Sequence, residues 1–185
     1  MIVVNKPILG FCTAVSGIGK TTLITKLIPF LVAKGLRISV IKHAHHSFDI
    51  DHAGKDSFLL REAGTVQMLL GSRKRWALIT ELDRIADRNT DLDIGLDELL
   101  AHLDQSLIDL ILVEGFRHEP IPKIEIYRAS VNKILLADND SSIIAIASDA
   151  EVQTFLPTLD LNNVPMLVEF ILNWLPCNQE AANKL

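Results

Sequence analysis

Cysteines and long apolar runs are scarce in this sequence, and each scarcity excludes a class of protein. The two cysteines, Cys12 and Cys177, lie far apart without C-x-x-C spacing. They therefore predict neither a disulfide framework nor a cysteine zinc site, and they fit a reducing compartment, so we expect a cytoplasmic protein. No stretch has the unbroken apolar length of a membrane span, which predicts no membrane partner. The apolar start of the chain contains Lys6-Pro7 and predicts a first strand, not a signal peptide.

Basic residues are also fewer than acidic ones. The 185 residues include 18 lysines and arginines against 23 aspartates and glutamates, a formal net charge of −5. Surfaces that bind nucleic acid are normally basic, so this balance predicts no nucleic-acid partner. Aromatic residues make up 5% of the chain, but hydrophobic residues reach 49%, enough for a globular core. We expect one nucleotide-binding domain over residues 1–176, followed by a polar tail over 177–185.

Residues 14–22 read Ala-Val-Ser-Gly-Ile-Gly-Lys-Thr-Thr and lie between an apolar run and a helical pattern. A strand, a glycine-rich turn and Gly-Lys-Thr at a helix start together predict a phosphate-binding P-loop. In such a loop the backbone N–H groups and the positive end of the helix bind phosphate oxygens. We expect the nucleotide contacts to come from seven consecutive residues: Ser16, Gly17, Ile18, Gly19, Lys20, Thr21 and Thr22.

Two side chains of this loop have specific predicted roles. Lys20 would neutralise the outer phosphates, and the Thr21 hydroxyl would bind Mg²⁺. Ala14 replaces the first glycine of the G-x-x-x-x-G-K-[ST] motif; its methyl group is small, but it disfavours a positive φ. The alternative is a glycine-rich helix start that binds nothing. Because Lys20, Thr21 and both flanking elements occur together, we instead predict a protein that binds a nucleoside triphosphate.

Apolar runs that alternate with helical patterns predict an α/β protein of the P-loop NTPase fold, with a mostly parallel sheet flanked by helices on both faces. The predicted strands are Ile8–Cys12, Arg37–Lys42, Leu107–Val113, Lys123–Tyr127 and Ile143–Ala147. The predicted helices run from Lys20 to about Lys34, from Asp56 to Ala63, from about Leu96 to Leu103, and from Val164 to Pro176. A β-hairpin excursion, Val66–Leu70 with Trp76–Thr80, lies between them. Its apolar strands need cover, which predicts a homodimer formed through the hairpin.

Polar residues follow several of the predicted strands, and ligands of parallel sheets bind beyond the carboxyl ends of strands. We expect the P-loop, a histidine-rich loop, Glu114-Gly115 and Ser148-Asp149 to form one site on this ground. Glu114 closes the most apolar strand, where a carboxylate can hold Mg²⁺ or orient an attacking water. A solvated carboxylate without a role is the alternative. We therefore predict Glu114 as a catalytic residue and as a magnesium ligand.

The loop His43–His52 contains four histidines and two aspartates. Three interpretations are open: a switch loop in which Asp49 or Asp51 reaches the magnesium of the nucleotide, a polar loop without function, and a Zn²⁺ or Ni²⁺ site. We favour the switch loop, because no i,i+4 helical spacing supports a dedicated metal site. This choice adds Asp49 and Asp51 to the predicted magnesium ligands and gives Asp49 a catalytic role beside Lys20 and Glu114.

The same segments carry a family resemblance. Ser-Gly-Ile-Gly-Lys-Thr-Thr, Ile-Lys-His-Ala-His-His-Ser-Phe-Asp-Ile-Asp, Gly-Lys-Asp-Ser, Arg-Glu-Ala-Gly and Leu-Ile-Leu-Val-Glu-Gly-Phe-Arg-His-Glu occur here in this order. From about Ile8 to Asp149 the chain resembles the molybdopterin-guanine dinucleotide biosynthesis protein B family, the GTP-binding adaptors of molybdenum-cofactor maturation. The resemblance implies a P-loop GTPase fold, GTP with Mg²⁺, slow hydrolysis and homodimers. It also implies partnership with molybdopterin guanylyltransferase, the enzyme that joins GMP to molybdopterin, and with other molybdenum-cofactor proteins.

One expected feature is missing, because the sequence has no N-K-x-D guanine-recognition motif. Ser148 and Asp149 are the candidate substitute. The Asp149 carboxylate could accept hydrogen bonds from guanine N1–H and the 2-amino group, or it could merely cap the turn after its strand. Two other functions stay open: a small-molecule kinase with Arg73-Lys74-Arg75, or Arg84 and Arg88, as its lid, and a nickel or zinc metallochaperone GTPase.

Overall fold

The computed structural model describes residues 4–44, 48–86, 93–131 and 134–182, with side chains described up to Leu175. The chain forms two compact units, because residues Ala44–Gly95 are inserted into a unit made of Met1–His43 and Leu96–Leu185. The domain boundaries expected from the sequence, 1–176 and 177–185, stay a prediction. Within the described ranges, no helix has both the length and the apolar character needed to cross a bilayer.

The elements alternate in the order that the sequence patterns predict. The strands are β1 Ile8–Cys12, β2 Ile38–Lys42, β3 Gln67–Gly71, β4 Trp76–Thr80, β5 Leu110–Glu114, β6 Lys123–Tyr127, β7 Ile143–Ser148 and β8 Thr158–Asp160. The helices are α1 Lys20–Ala33, α2 Asp56–Glu62, α3 Leu96–Leu100 and α4 Val164–Ala182. Six strands form one sheet in the order β2-β5-β1-β6-β7-β8. All of its neighbouring strands pair in parallel, which confirms the predicted sheet.

Alternation along β5 explains why helices cover both faces of this sheet. Leu110 and Leu112 point into the core that α1 and α4 cover. Ile111 and Val113 point into a second core, to which α3 contributes Leu96. All four strand side chains are fully buried, so β5 is the continuous apolar strand expected at the centre of a parallel sheet.

Four details of the predicted elements are wrong. The strand predicted over Leu107–Val113 begins at Leu110, because Gln105–Leu107 forms a short 3-10 helix whose N-cap is Asp104. The last helix does not stop at Pro176 but continues to Ala182. A proline removes one backbone hydrogen bond, and the residues that follow include good helix formers, which lets the helix continue. The strand Thr158–Asp160 was not predicted, since three residues are too short for an alternation pattern to show. The third helix ends at Leu100, three residues before the predicted end at about Leu103.

The second unit contains the predicted hairpin, in which β3 and β4 pair antiparallel with Leu69 opposite Leu78. The nearly buried guanidinium of Arg61 in α2 organises this unit. It donates to both oxygens of Asp49, at 2.8 and 2.7 Å, and to Glu81 at 2.7 Å. Arg61 also lies 5.3 Å from the centre of the Phe58 ring. These contacts join the loop before α2 to the end of the hairpin.

A group of charged side chains is buried beneath β6 in the first unit. Lys123 is 1% exposed and its ammonium donates to the carbonyl oxygens of Arg117 and Glu119, at 2.9 and 2.6 Å. The same ammonium forms an ion pair with Asp140 at 2.9 Å. Its aliphatic stem crosses β1 at Gly10, where an added Cβ would lie 2.7 Å from the Lys123 Cγ. A glycine is therefore required at that point of the central strand.

Glu125, two residues further along β6, is also fully buried. Burial raises the pKa of its carboxyl group above the usual value, and two backbone hydrogen bonds, from the N–H groups of Leu136 and Ala137, act in the opposite direction. Burial and the nearby Glu125 charge raise the pKa of the Cys12 thiol to about 12. This cysteine therefore stays protonated at physiological pH.

The buried lysine gives a stability prediction. Lys123→Met keeps the aliphatic stem over Gly10 but removes the ammonium from Asp140 Oδ2 and from two carbonyl oxygens. We expect the free energy of unfolding to fall by about 3–5 kcal/mol, as when one partner of a buried ion pair is removed. Urea unfolding followed by circular dichroism measures it. The exposed Lys26→Met is the matched control, expected within about 0.5 kcal/mol of wild type. A loss equal to that of the control contradicts the assignment.

Candidate nucleotide-binding site

The connection from β1 to α1 has the backbone of a phosphate-binding loop. Gly17 and Gly19 have φ angles of +79° and +103°, the left-handed region that glycine adopts without strain. Ile18 between them is 7% exposed and joins the core beneath α1, which anchors the loop. Among the described residues, Phe116 is the single non-glycine residue with a positive φ. Ala14 therefore does not have a positive φ, and its backbone conformation does not require glycine.

Three side chains meet where α1 begins. The Thr21 hydroxyl donates to Glu114 Oε1 at 2.6 Å. The Lys42 ammonium donates to Thr21 Oγ1 at 3.2 Å and lies 3.3 Å from the same Glu114 oxygen. Lys20, one residue before Thr21, is the first residue of α1 and is half-buried. The predicted residues Thr21 and Glu114 are therefore in direct contact. Lys42, which the sequence patterns did not predict as a site residue, contacts both.

Sheet register explains this meeting. Glu114 of β5 lies opposite Lys42 of β2 on one side and opposite Phe11 of β1 on the other, so these residues form one row across the end of the sheet. The His43 backbone N–H donates to the Glu114 carbonyl at 2.9 Å, which extends the pairing one residue beyond β2.

Gly115 has a φ of +96°, and an added Cβ would lie 2.8 Å from the His43 Cβ. The His43 ring stacks on Phe116 at 4.5 Å.

A second cation contacts the loop from the other side of β1. Arg128, which follows β6, donates from Nε to the Ile18 carbonyl at 2.9 Å. Its NH1 group donates to Asp149 Oδ2 at 3.2 Å, and Asp149 Oδ1 accepts the Ala129 backbone N–H at 3.0 Å. Arg128 thus links the predicted base-reading residue Asp149 to the P-loop. The available sequence signal was its position directly after a strand, at the end of the sheet where the other site residues lie.

The Ser148 side chain forms its hydrogen bonds within the turn that follows β7. It is 3% exposed, its hydroxyl donates to the Ala150 carbonyl at 2.7 Å, and the hydroxyl oxygen accepts the Ala150 backbone N–H at 3.1 Å. Both carboxylate oxygens of Asp149 likewise have protein partners. The prediction that these two residues read guanine stays a prediction. Each Asp149 carboxylate oxygen has one protein partner and could accept a second hydrogen bond from a base.

Asp49 and Asp51, the predicted switch-loop residues, belong to the second unit. The Asp51 backbone N–H and the Arg61 guanidinium hold the pKa of the Asp49 carboxyl group below its usual range. Asp51 Oδ1 accepts hydrogen bonds from the Ser57 hydroxyl and the His52 backbone N–H, both at 2.9 Å. Their assignment as magnesium ligands, and the catalytic role of Asp49, stay predictions.

The histidine loop is described only in part, because His45 and His46 lie outside the described residues, as does Arg88 of the alternative lid. Within the part of the chain that is described, no group of three His, Cys, Asp or Glu side chains is arranged to hold a metal ion. Thr21 and Glu114, in contrast, bring a hydroxyl oxygen and a carboxylate oxygen within 2.6 Å of each other, and the Lys42 ammonium lies beside both. Oxygen ligands of this kind fit Mg²⁺.

Comparison with known proteins identifies the family of this chain. A protein-family model described as molybdopterin guanine dinucleotide synthesis protein B matches residues 8–149. The chain is 44% identical over 169 residues to the molybdopterin-guanine dinucleotide biosynthesis adapter protein of Haemophilus influenzae, covering 91% of this chain and 89% of that protein. It is 42% identical over 173 residues to the adapter protein of the same name from Escherichia coli, covering 91% and 93%.

Solved structures match the fold as well. A crystal structure of molybdopterin-guanine biosynthesis protein B aligns with a TM-score of 0.70 and 25% identity, covering 91% of this chain and 99% of the other. A MobB homologue from Bacillus stearothermophilus aligns with a TM-score of 0.65 at 21% identity and shows the fold alone. The family model spans most of the chain, including the P-loop and Glu114, so this protein belongs to the molybdopterin guanine dinucleotide synthesis protein B family.

Proposed function

We propose that this chain is a GTP-binding adapter of molybdopterin guanine dinucleotide biosynthesis with slow, magnesium-dependent GTP hydrolysis. The observation that supports it best is the 2.6 Å contact between Thr21 of the P-loop and Glu114 at the end of β5. A hydroxyl and a carboxylate at the start of a P-loop helix form the usual magnesium site of a nucleotide-binding protein. Family membership favours the adapter over the kinase and metallochaperone alternatives.

Each part of the loop would contribute to binding a triphosphate. The backbone N–H groups at the start of α1 would bind phosphate oxygens, and Lys20 would supply a positive charge beside them. Thr21 and Glu114 would hold Mg²⁺, which offsets phosphate charge when bound. Glu114 would also orient the attacking water. The slow rate is what the family resemblance implies for this hydrolysis.

The partner follows from the family. We infer that the adapter supports molybdopterin guanylyltransferase, whose product carries a GMP group, together with other molybdenum-cofactor proteins. A GTP-binding protein is chemically suited to this reaction because GTP is the source of that group. We place this activity in the cytoplasm, where the free thiol of Cys12 would stay reduced.

A homodimer would cover the hairpin. Leu69 is 65% exposed and Trp76 is 71% exposed, although both are large apolar side chains. An isolated two-stranded hairpin is marginally stable in water, and its outer edges offer backbone groups for pairing with a second copy. The exposed side chains and the free edges together support dimerisation through β3 and β4.

The P-loop assignment predicts that Lys20→Ala weakens GTP binding by at least about 10-fold, because the variant loses a charged contact to phosphate. Isothermal titration calorimetry with Mg²⁺ present measures the affinity. The fold should persist, since glycines and the core set the loop conformation. Lys26→Ala, on the exposed face of the same helix, is the control and should bind GTP like wild type.

The adapter role is tested with the same proteins. Immobilised wild type should retain purified molybdopterin guanylyltransferase, and addition of GTP should change the amount retained for wild type but not for Lys20→Ala. A folded Lys20→Ala variant with wild-type GTP affinity contradicts the P-loop assignment. Failure of the wild type to retain the enzyme contradicts the adapter role instead.

Base recognition by Asp149 predicts a change of preference. Asp149→Asn should lose about 10-fold or more in GTP affinity and gain affinity for xanthosine triphosphate, whose base offers a carbonyl oxygen where guanine has its amino group. Competition binding against a fluorescent nucleotide measures both. If GTP, ATP and xanthosine triphosphate weaken by the same factor, Asp149 acts through Arg128 on the P-loop and another group reads the base.

Dimerisation through the hairpin predicts that the wild type is a dimer at micromolar concentration and that Leu69→Asp is a monomer. The substitution places a charge at the exposed centre of β3, where a dimer interface would bury it at high cost. Multi-angle light scattering gives the mass. Leu107→Asp is the control, because Leu107 is 64% exposed and lies in the other unit. A monomeric wild type, or a dimeric Leu69→Asp, overturns the prediction.

A further inference from the structure

The ammonium group of Lys42 lies at the two oxygens that the nucleotide site offers to a cation. Its Nζ is 3.2 Å from Thr21 Oγ1 and 3.3 Å from Glu114 Oε1. The Thr21 hydroxyl donates to Glu114 and accepts from Lys42, so the three side chains form a closed triangle. A lysine from β2, outside the P-loop, therefore shares both oxygens assigned to magnesium.

Charge explains why a cation is needed there before any ligand arrives. The Glu114 side chain is 10% exposed, and a carboxylate removed from water to this extent requires a counter-charge. Lys42 supplies it. A divalent cation bound to Thr21 and Glu114 would use the same oxygens and would repel the ammonium at contact distance. The two cations are therefore competitors.

The side chain can leave while its backbone stays. The Lys42 backbone is held by the pairing of β2 with β5, in register with Glu114, and by the next residue, whose N–H bonds to the Glu114 carbonyl. The Lys42 side chain is 55% exposed, and its four-carbon stem has rotatable bonds. The ammonium can therefore move into solvent without any change in the sheet.

We propose that Lys42 is a positioning residue whose ammonium holds Thr21 and Glu114 together before nucleotide binds and is displaced when Mg²⁺ binds. The proposal rests on the proposed function, because it takes the magnesium nucleotide as the ligand of this site. It has two consequences. Lys42 lowers the apparent affinity of the site for the divalent cation, and it supports nucleotide binding when no divalent cation is present.

The test compares wild type, Lys42→Met and Lys26→Met by calorimetry with a non-hydrolysable GTP analogue. Each protein is titrated in EDTA and at a series of Mg²⁺ concentrations. For Lys42→Met we expect weaker binding in EDTA and a Mg²⁺ midpoint lowered by about 10-fold. The ratio of the two dissociation constants, without and with Mg²⁺, should therefore rise by about 10-fold or more. Lys26→Met carries the same charge change and should keep the wild-type ratio.

A second measurement separates this proposal from the proposed function. Mn²⁺ binding to the nucleotide-free proteins, followed by electron paramagnetic resonance, should be about 10-fold tighter for Lys42→Met than for wild type. If wild type binds no nucleotide in either buffer, the proposed function is wrong, and the Mn²⁺ titration still decides on Lys42. If Lys42→Met matches wild type in both the magnesium ratio and Mn²⁺ affinity, the displacement proposal is overturned.

Discussion

The hydrogen bond from the Thr21 hydroxyl to the Glu114 carboxylate joins the first turn of α1 to the end of β5, and the site depends on it. At 2.6 Å it has the length of a charge-assisted bond. It can form only because the loop after β1 turns directly into α1 through Gly17 and Gly19, both with positive φ. Parallel pairing of β1 with β5 then brings the carboxylate to the helix start. The conformation of the loop and the order of the strands are therefore both needed to bring the hydroxyl and the carboxylate together.

The two faces of the central sheet are built differently, and this difference constrains the residues at its centre. Under α1 and α4 the strands contribute a large apolar cluster, so hydrophobic packing dominates that layer. On the opposite face Lys123 and Glu125 are buried with their polar partners, which leaves little room over β1 and requires Gly10. Ionic groups at this depth contribute little net stability but strongly penalise the loss of a partner. The Glu125 carboxylate accepts the Leu136 and Ala137 backbone N–H groups, which joins the turn before β7 to β6.

Much of the fold was predictable, because motif spacing and apolar periodicity are local properties of the sequence. The P-loop and Glu114 were predicted because a glycine-rich turn and a strand-terminal carboxylate can each be recognised within a few residues. Lys42 and Arg128 were missed for the opposite reason. Their roles depend on β2 lying beside β5 and on β6 lying beside β1, and one sequence does not specify which strands are neighbours. The extension of α4 beyond its internal proline escaped prediction because a proline is a probable helix end but not a certain one, as Pro29 inside α1 also shows.

The strand order also places one cation on each side of the P-loop, an arrangement that no single sequence motif predicts. Lys42 and Arg128 approach the P-loop from strands on opposite sides of β1, and each has a carboxylate partner, Glu114 and Asp149, that ends a neighbouring strand. Phosphate oxygens entering the loop would attract both cations. A divalent cation would compete with Lys42 for Glu114, and a base would share the Asp149 carboxylate with Arg128. Under the proposed assignments, a magnesium nucleotide would release Lys42 from Glu114 and would add a base to the carboxylate that Arg128 contacts, so both pairs would be rearranged. Because Arg128 also bonds to the Ile18 carbonyl, such a rearrangement would reach the backbone of the loop itself.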